Sequence, residues 1–314
     1  MIEKQREGEG VIRETVRLTF TGQGTHNFDV TLYRPEREGR HPAVVWVWFA
    51  GDPHRGCPLA EIVGERGYIL AGFDREAVFE DKADGKVPIK DVFPGYTFGA
   101  VRAWALAESM VATYLLERSD VDASRLVCTG FSRCGKAALA AGIYDERFAV
   151  AAPVCSGAGG GGCFRYLGDK EGFNQDVQRE ESLGRIGSTF PFWWAPGFSA
   201  WWPEGDPAQM GKEDTFPVDS HILRALVAPR SLFTADGMED TWSNPRGSAL
   251  TYLASRPVFD ALGARSYAFF REGGHAFSET DWRALVDFCD GVFDGREMPK
   301  EAPLVEKVRA ELEG

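Results

Sequence analysis

A serine stands in a glycine-flanked turn between an apolar segment and an alanine-rich segment. The run 129–136 reads TGFSRCGK, follows an apolar stretch that ends at Cys128, and precedes a helical pattern over 137–143. A strand, a glycine-flanked serine and a helix are the layout of a nucleophile elbow, in which the helix N terminus offers backbone N–H groups to an oxyanion. Ser132 is therefore the candidate nucleophile, and a serine that only caps the helix is the alternative.

The elbow departs from the common pattern G-x-S-x-G at one position. Cys134 stands where the last glycine is usual, and Gly135 follows it. The resulting pattern, G-x-S-R-x-G-K, is less common and therefore more specific. Because Cys134 lies one helical step past Arg133, we expect its thiol to point away from the turn and to be buried.

A serine nucleophile needs a base that takes its proton and an acid that orients the base. Of the five histidines, His275 follows the last predicted core strand, 266–271, which is where α/β-hydrolases place the base. His54 comes too early in the chain, and His221 precedes a strand. We therefore predict that His275 is the base, and a surface-loop histidine is the alternative.

The acid is expected in the loop after the predicted strand 231–235, where three carboxylates compete. The spacing G-x-x-D after that strand selects Asp240, and Glu239 and Asp236 are the alternatives. A carboxylate here accepts a hydrogen bond from one imidazole nitrogen and leaves the other to face Ser132. Each of the three also fits an acid on the loop surface that has no role.

Strands and helices alternate along the chain around these residues. An antiparallel entry hairpin is predicted over 17–20 and 29–33. The strands that follow are predicted at 43–50, 68–73, 125–129, 148–154, 231–235 and 266–271, and the helices at 59–66, 100–117, 133–143, 247–262, 279–293 and 304–313. This alternation predicts the α/β class, a three-layer αβα sandwich with a mainly parallel sheet.

Residues 156–220 are rich in Gly, Trp, Phe and Pro and show little regular pattern. We expect them to form an insertion over the active face of a single domain that spans 1–314. The glycine run 157–162 satisfies G-x-G-x-x-G, but no helical pattern and no acidic residue about 20 positions later supports a dinucleotide site.

Composition excludes several classes of protein. The net charge of −12, from 47 acidic and 35 basic residues, argues against a nucleic-acid surface, and no apolar run approaches a membrane span. Six cysteines without a C-x-x-C pair argue against a structural zinc site. We expect a monomer that needs no metal or cofactor. The charged N-terminal segment lacks the apolar core of a signal peptide, so we expect either a cytosolic protein or one whose secretion signal has been removed.

These motifs together resemble those of the glucuronoyl esterases, carbohydrate esterase family 15, whose elbow reads G-C-S-R-x-G-K. Here 130–136 reads GFSRCGK, and the resemblance covers roughly 40–295. Further similar segments are DERFA at 145–149, SGAGG at 156–160, APR at 228–230 with Trp242, and GGH at 273–275. The resemblance implies an α/β-hydrolase fold and a serine esterase that cleaves the ester between lignin alcohols and 4-O-methyl-glucuronic acid on xylan.

The resemblance also implies roles for residues that match the family pattern. Arg133 would stabilise the oxyanion through its backbone N–H and its guanidinium. Lys136, one helical turn after Ser132 and on the same face, would bond sugar hydroxyls, and so would Gln178. Trp242 would form an apolar wall for the pyranose ring. Without the resemblance, Lys136 is an ordinary solvated lysine.

Two departures from the family pattern indicate a bacterial or reduced-compartment member. Many members carry their acid as a glutamate where this chain has Cys155, and a thiol does not replace a carboxylate. The acid must then come from the later loop, as in some bacterial members, which favours Asp240. Fungal members bridge a cysteine before the nucleophile to one after the histidine, and here those positions hold Phe131 and Ala276.

The sequence therefore predicts an esterase acting on a glucuronic acid ester or a glucuronoxylan-type substrate. Two alternatives stay open. The same machinery acting on another ester, such as an acetylated sugar, is the nearer one. A non-catalytic carbohydrate-binding relative, in which Ser132 is inert, is the alternative from another class.

Overall fold

The computed structural model describes residues 2–8, 10–49, 56–166, 180–202 and 212–313, and one large sheet dominates them. Its strands are β1 (Glu3–Arg6), β2 (Val11–Thr21), β3 (Thr25–Pro35), β4 (His41–Trp48), β5 (Ile69–Asp74), β6 (Val121–Phe131), β7 (Phe148–Val154), β8 (Ser231–Gly237) and β9 (Ser266–Arg271). Their order across the sheet is β1-β2-β3-β5-β4-β6-β7-β8-β9.

The sheet is antiparallel at one end and parallel over the rest. β1, β2 and β3 form an antiparallel meander, and β3 pairs antiparallel with β5. From β5 through β4, β6, β7 and β8 to β9 every pairing is parallel. The predicted α/β fold with a mainly parallel sheet is confirmed. The sequence did not predict β1, because its residues EKQR are polar and exposed and leave no apolar signal.

Five of the α-helices lie where the sequence predicts them, with small shifts at their ends, and three short ones lie at 89–92, 183–189 and 220–225, where no helix was predicted. The α-helices are α1 (Ile89–Val92), α2 (Ala100–Leu116), α3 (Arg133–Tyr144), α4 (Leu183–Thr189), α5 (Ser220–Ala225), α6 (Pro245–Ala261), α7 (Glu279–Asp294) and α8 (Pro303–Glu313). The predicted helix over 59–66 is a π-helical turn, Ala60–Glu65. No described helix combines the length and the apolar character that crossing a membrane requires.

Alternation along β4 shows how the sheet separates two cores. Val45 and Val47 pack in one core with Trp104 of α2, whereas Trp46 packs in the other with Trp282 of α7. Full burial of one such aliphatic side chain contributes about 1.5–3 kcal/mol. Helices cover both faces, and the carboxyl ends of the parallel strands are left free to carry functional loops.

The described part of the predicted insertion contains α4, two 3-10 turns at Pro191–Trp193 and Pro196–Trp201, and a small core of its own. Phe164, Leu183 and Ile186 are buried in that core. That residues 1–314 form a single domain stays a prediction.

Candidate active site

Ser132 lies in a strained turn between β6 and α3. Its backbone has φ 58° and ψ −124°, which is unusual for a residue with a Cβ, and its N–H donates to the Val154 carbonyl at 2.9 Å. A Cβ on Gly130 would lie 2.3 Å from the Cys134 carbonyl oxygen, and one on Gly135 would lie 2.9 Å from that of Val154. Both glycines are therefore required for the close packing of this turn.

The residues after Ser132 form the N terminus of α3, whose first amides have no partner within the helix. The helix dipole adds positive potential at this end. Cys134 is buried, as predicted. Burial raises the pKa of its thiol to about 11 against the opposing charge of Arg75, so Cys134 is not a nucleophile at neutral pH.

The loops after β8 and β9 bring Asp240 and His275 together. The Nδ1 atom of His275 lies 2.6 Å from Oδ2 of Asp240 and 3.3 Å from Oγ of Ser243. The Ser243 amide donates to the other Asp240 oxygen at 3.1 Å. A buried carboxylate thus holds a solvent-exposed imidazole, which leaves Nε2 as the nitrogen available for proton transfer.

The three carboxylates of the loop after β8 lie in different environments. Burial alone would raise the pKa of Asp240, but the hydrogen bond and charge of His275 and the bonds from Ser243 hold that pKa below its usual range. Burial raises the pKa of Asp236 well above its usual range, and the charge of Asp240 adds to this effect. Glu239 is exposed, and its amide donates to the Gly273 carbonyl.

Close backbone packing fixes the two loops against each other. A Cβ on Gly237 would lie 2.4 Å from the carbonyl oxygens of both Gly273 and Gly274, so only glycine fits there. The Met238 amide donates to the Arg271 carbonyl at 2.8 Å. Because β8 and β9 are neighbouring parallel strands, the acid and the histidine meet at one edge of the sheet.

The imidazole also lies beside the elbow. The rings of His275 and Phe131 pack with their centroids 4.6 Å apart, and Phe131 immediately precedes Ser132 in the chain. Cys155, which follows β7, donates its thiol to the Ala276 carbonyl at 3.4 Å. The elbow, the acid loop and the histidine loop therefore converge on one place.

Arg133 is held in a defined position next to the elbow. Its Nη1 donates to Oδ2 of Asp81 at 2.6 Å, and its guanidinium lies over the rings of Phe190 and Trp193, 5.0 and 4.8 Å from their centroids. The Trp193 indole N–H donates to the other Asp81 oxygen at 2.7 Å. The charge is thus fixed but still partly exposed, as an oxyanion-stabilising group requires.

Lys136 is buried rather than solvated, and its ammonium is fully engaged. Its three donors reach the carbonyls of Ser156 and Ala158 at 2.6 and 2.8 Å and Oε2 of Glu181 at 2.6 Å. A Cβ on Gly157 would lie 2.1 Å from that Glu181 oxygen, so a glycine is needed for this contact. Contact between Lys136 and sugar hydroxyls stays a prediction, and in this structure the ammonium also ties the glycine loop to Glu181.

Two predicted substrate-binding residues remain, Trp242 and Gln178. Trp242 is half-buried beside the acid loop, with Arg185 5.9 Å from its ring centroid, and its carbonyl accepts from the Glu181 amide at 3.1 Å. Gln178 and His54 lie outside the described residues.

Sequence reasoning missed Asp81, Glu181 and Ser243. None of the three belongs to a motif, and Asp81 is 52 positions from Arg133 in the chain. The only local signal was for Ser243, which follows Asp240 by three residues, a spacing at which a carboxylate accepts from a backbone amide.

Comparison of the sequence with known proteins points to one family. A family model for glucuronyl esterase, fungi, matches residues 18–263. The chain is 32% identical over 267 residues to 4-O-methyl-glucuronoyl methylesterase 1 of Phanerochaete chrysosporium, covering 83% of this chain and 53% of that protein. It is 30% identical over 226 residues to carbohydrate esterase MZ0003 of an unknown prokaryotic organism, covering 67% of this chain and 47% of that protein. The chain thus spans about half the length of these relatives.

Solved structures resemble the chain over nearly all of its length. A carbohydrate esterase family 15 glucuronoyl esterase from Caldicellulosiruptor kristjansonii superposes with a TM-score of 0.76 at 27% identity, covering 95% of this chain and 82% of that one. A glucuronoyl esterase from Solibacter usitatus superposes with a TM-score of 0.75 at 26% identity, covering 93% and 84%.

Proposed function

The chain belongs to the glucuronyl esterase family, and on this basis we propose that it is a serine esterase that hydrolyses esters of 4-O-methyl-glucuronic acid. The observation that carries the proposal is the 2.6 Å contact between Nδ1 of His275 and the buried Asp240 carboxylate, beside the elbow of Ser132. A buried anion with a lowered pKa that orients an imidazole is the arrangement that makes a serine hydroxyl nucleophilic.

In the proposed reaction Ser132 Oγ attacks the carbonyl carbon of the ester, and its proton passes to Nε2 of His275. The negative charge on the carbonyl oxygen is stabilised by the first amides of α3 and by the guanidinium of Arg133. When the intermediate collapses, the bond to the alkoxy oxygen breaks, and His275 returns the proton to the leaving alcohol. Asp240 stays ionised throughout and stabilises the imidazolium.

A water molecule then completes the cycle. His275 takes a proton from water as it attacks the acyl-enzyme, and the second tetrahedral intermediate releases the uronic acid and restores the Ser132 hydroxyl. The uronic acid ring would lie toward Trp242, with Lys136 and its partner Glu181 at the same side of the cleft. The contact with Trp242 would select a sugar as the acyl part of the ester, since a half-buried indole favours the apolar face of a pyranose.

Hydrolysis of methyl 4-O-methyl-glucuronate by wild type and by Ser132→Ala tests the proposal. We expect Ser132→Ala to lose activity while its circular dichroism and melting temperature stay near wild type. Ser124→Ala, an exposed serine on β6, is the matched control and should retain full activity. Hydrolysis by Ser132→Ala at the wild-type rate would overturn the mechanism.

Two further measurements separate the proposal from its alternatives. A higher kcat/KM on acetyl xylan than on the methyl glucuronate would assign the machinery to a different ester. An organophosphonate that forms no adduct with wild type, as judged by intact mass, would indicate a non-catalytic carbohydrate-binding relative. We expect an adduct on wild type and none on Ser132→Ala.

A further inference from the structure

A separate cavity of about 420 Å³ lies between α2, α3 and the segment after α5. Its walls are mainly apolar and include Leu139 and Ile143 of α3, Leu226, and Trp194. Ser132, Arg133, Asp240 and His275 do not line it, whereas Lys136 and Trp193, which lie near the elbow, each form part of its wall. Its size falls in the range of small-molecule sites, and the proposed reaction makes no use of it.

Arg102 of α2 brings a charge into this apolar wall. Its guanidinium stacks on the Tyr144 ring at 4.3 Å, and its Nη1 is buried without a hydrogen-bond partner. No carboxylate among the described residues forms an ion pair with it. Burial lowers the pKa of Arg102, yet a guanidinium remains protonated at neutral pH. The charge of Asp145 offsets part of this burial without forming an ion pair, and an anion from outside the chain would offset more of its cost.

A second chamber of about 430 Å³ adjoins the first and shares Arg102 with it. Its other walls include the rings of Phe93, Tyr96 and Phe98. The openings of the two chambers are apolar as well, since Tyr96 is 64%, Tyr144 66% and Leu226 53% exposed. Exposed aromatic surface around one unpaired cation is typical of a binding site rather than of a solvated surface.

The backbone adds to the positive potential. Gly99, which lines the first chamber, is the N-cap of the 17-residue helix α2. It offers no side-chain cap, and the first turn of α2 carries no acidic residue. The positive end of the helix dipole is therefore not matched by a carboxylate from the first turn of α2.

From this combination of charge and shape we propose that the cavity binds a small planar aromatic carboxylate. The carboxylate pairs with the guanidinium of Arg102, and the ring packs between the α3 side chains Leu139 and Ile143 and the indole of Trp194. Aromatic rather than aliphatic acids are favoured, because Trp194, Tyr144 and Phe98 present ring faces and edges to the cavity. This site goes beyond the proposed esterase activity. Lys136 lies in its wall, but the ammonium is bonded to Ser156, Ala158 and Glu181, so the proposed carboxylate contact is with Arg102 alone.

Calorimetric titration with 2-naphthoate and with 2-naphthalenemethanol tests the proposal, since the two probes share a ring system and differ in charge. We expect wild type to bind 2-naphthoate more tightly. Arg102→Met should weaken 2-naphthoate binding by about tenfold or more and should change binding of the alcohol by less than about twofold. Arg40→Met, at an exposed arginine, is the matched control and should bind both probes as wild type does.

Two more variants locate the bound ring. Ala140→Trp fills the first chamber from α3 and should abolish binding of both probes, with its fold checked by circular dichroism. Ser132→Ala should bind 2-naphthoate as wild type does, which keeps this test independent of the esterase proposal. Equal 2-naphthoate affinity in wild type and Arg102→Met, no binding by wild type at millimolar concentration, or displacement of the probe by methyl glucuronate would each overturn the assignment.

Discussion

Asp81 places the guanidinium of Arg133 before any substrate arrives. Its Oδ2 accepts from Nη1 of Arg133 at 2.6 Å and from Nη2 of Arg75 at the same distance, and the carboxylate is only 4% exposed. The indole of Trp193 holds its other oxygen. A cation with a fixed position costs no reorganisation when the oxyanion forms, so this carboxylate is a positioning residue for the proposed reaction.

We therefore expect Asp81→Asn to lower kcat on methyl glucuronate by about 10- to 100-fold, the loss typical of a misplaced reacting or stabilising group. KM should change less, because the oxyanion charge exists only after attack. Asp84→Asn, the same substitution at an exposed acid three positions later, is the matched control and should keep wild-type kcat.

A double-mutant cycle assigns the effect to Arg133. If Asp81 acts through Arg133, Asp81→Asn should cost little further kcat in an Arg133→Ala background. An equal loss in both backgrounds would contradict the positioning role and would indicate a general effect on the fold. Loss of one partner from a buried ion pair also destabilises a protein by about 3–5 kcal/mol. The melting temperatures of all four proteins therefore show whether each variant is folded at the assay temperature, so that a loss of kcat in a folded variant reports on positioning.

Asp240→Asn should lower kcat by about 10³- to 10⁴-fold with little change in KM, since the amide no longer stabilises the imidazolium and favours the wrong tautomer. Glu239→Gln is the matched control one residue earlier, and it should keep wild-type kcat because Glu239 is exposed. A larger loss in Glu239→Gln than in Asp240→Asn would assign the acid to Glu239.

The pH dependence of stability gives a second readout for Asp240. Its pKa is lowered in the folded protein, so the carboxylate stabilises the fold above its unfolded pKa of about 3.9, and this contribution is lost as the pH falls through the folded pKa. Asp240→Asn should therefore reduce the free energy of unfolding near pH 7 and have a smaller effect near pH 3. The same difference at both pH values would contradict the lowered pKa.

The parts of the site that the sequence predicted are those with local signals. Ser132 could be proposed because strand, glycine and helix are adjacent in the chain, and His275 and Asp240 because each follows a strand whose apolar run is easy to recognise. The spacing rule that favoured Asp240 over Glu239 works because Gly237 permits the close approach of the two loops.

The parts that the sequence did not predict depend on contacts between distant segments. Without the family resemblance Lys136 would be an ordinary solvated lysine, and with it a ligand of sugar hydroxyls; neither predicts Glu181, 45 positions later, which pairs with the buried ammonium. Which carboxylate meets which cation depends on the path of the loop between them. Asp81 was missed for the same reason, since the segment around it shows no periodic pattern and was expected to be a plain loop.

Glu108 of α2 makes the stability of the fold pH-dependent. It is fully buried, neither of its carboxylate oxygens has a partner, and burial raises its pKa well above the usual 4.5. Above pH 4.5 the unfolded chain loses this proton while the folded chain keeps it, so stability falls as the pH rises toward the folded pKa. The cost is at most about 1.4 kcal/mol per pH unit.

Glu108→Gln should therefore be more stable than wild type at pH 8, with the gain shrinking toward pH 5. Urea denaturation at several pH values measures this difference. Glu117→Gln, an exposed position just after the same helix, should show no such trend. A gain that is constant from pH 5 to pH 8 would mean that Glu108 does not hold a proton in the folded state.

Cys155 lies close enough to the proposed catalytic pair, Asp240 and His275, to test whether the acid can be moved. Its Sγ, a ring nitrogen of His275 and a carboxylate oxygen of Asp240 all lie within 4.8 Å of one another. The backbone of Cys155 already has φ 44°, so a longer unbranched side chain meets no new backbone requirement there.

In an Asp240→Asn background, Cys155→Glu should raise kcat by at least about tenfold, because a carboxylate regains contact with the imidazole. Cys155→Gln in the same background has the same size without the charge and should restore nothing. Recovery with both substitutions would show that filling the space, rather than supplying a charge partner for His275, is what the site requires.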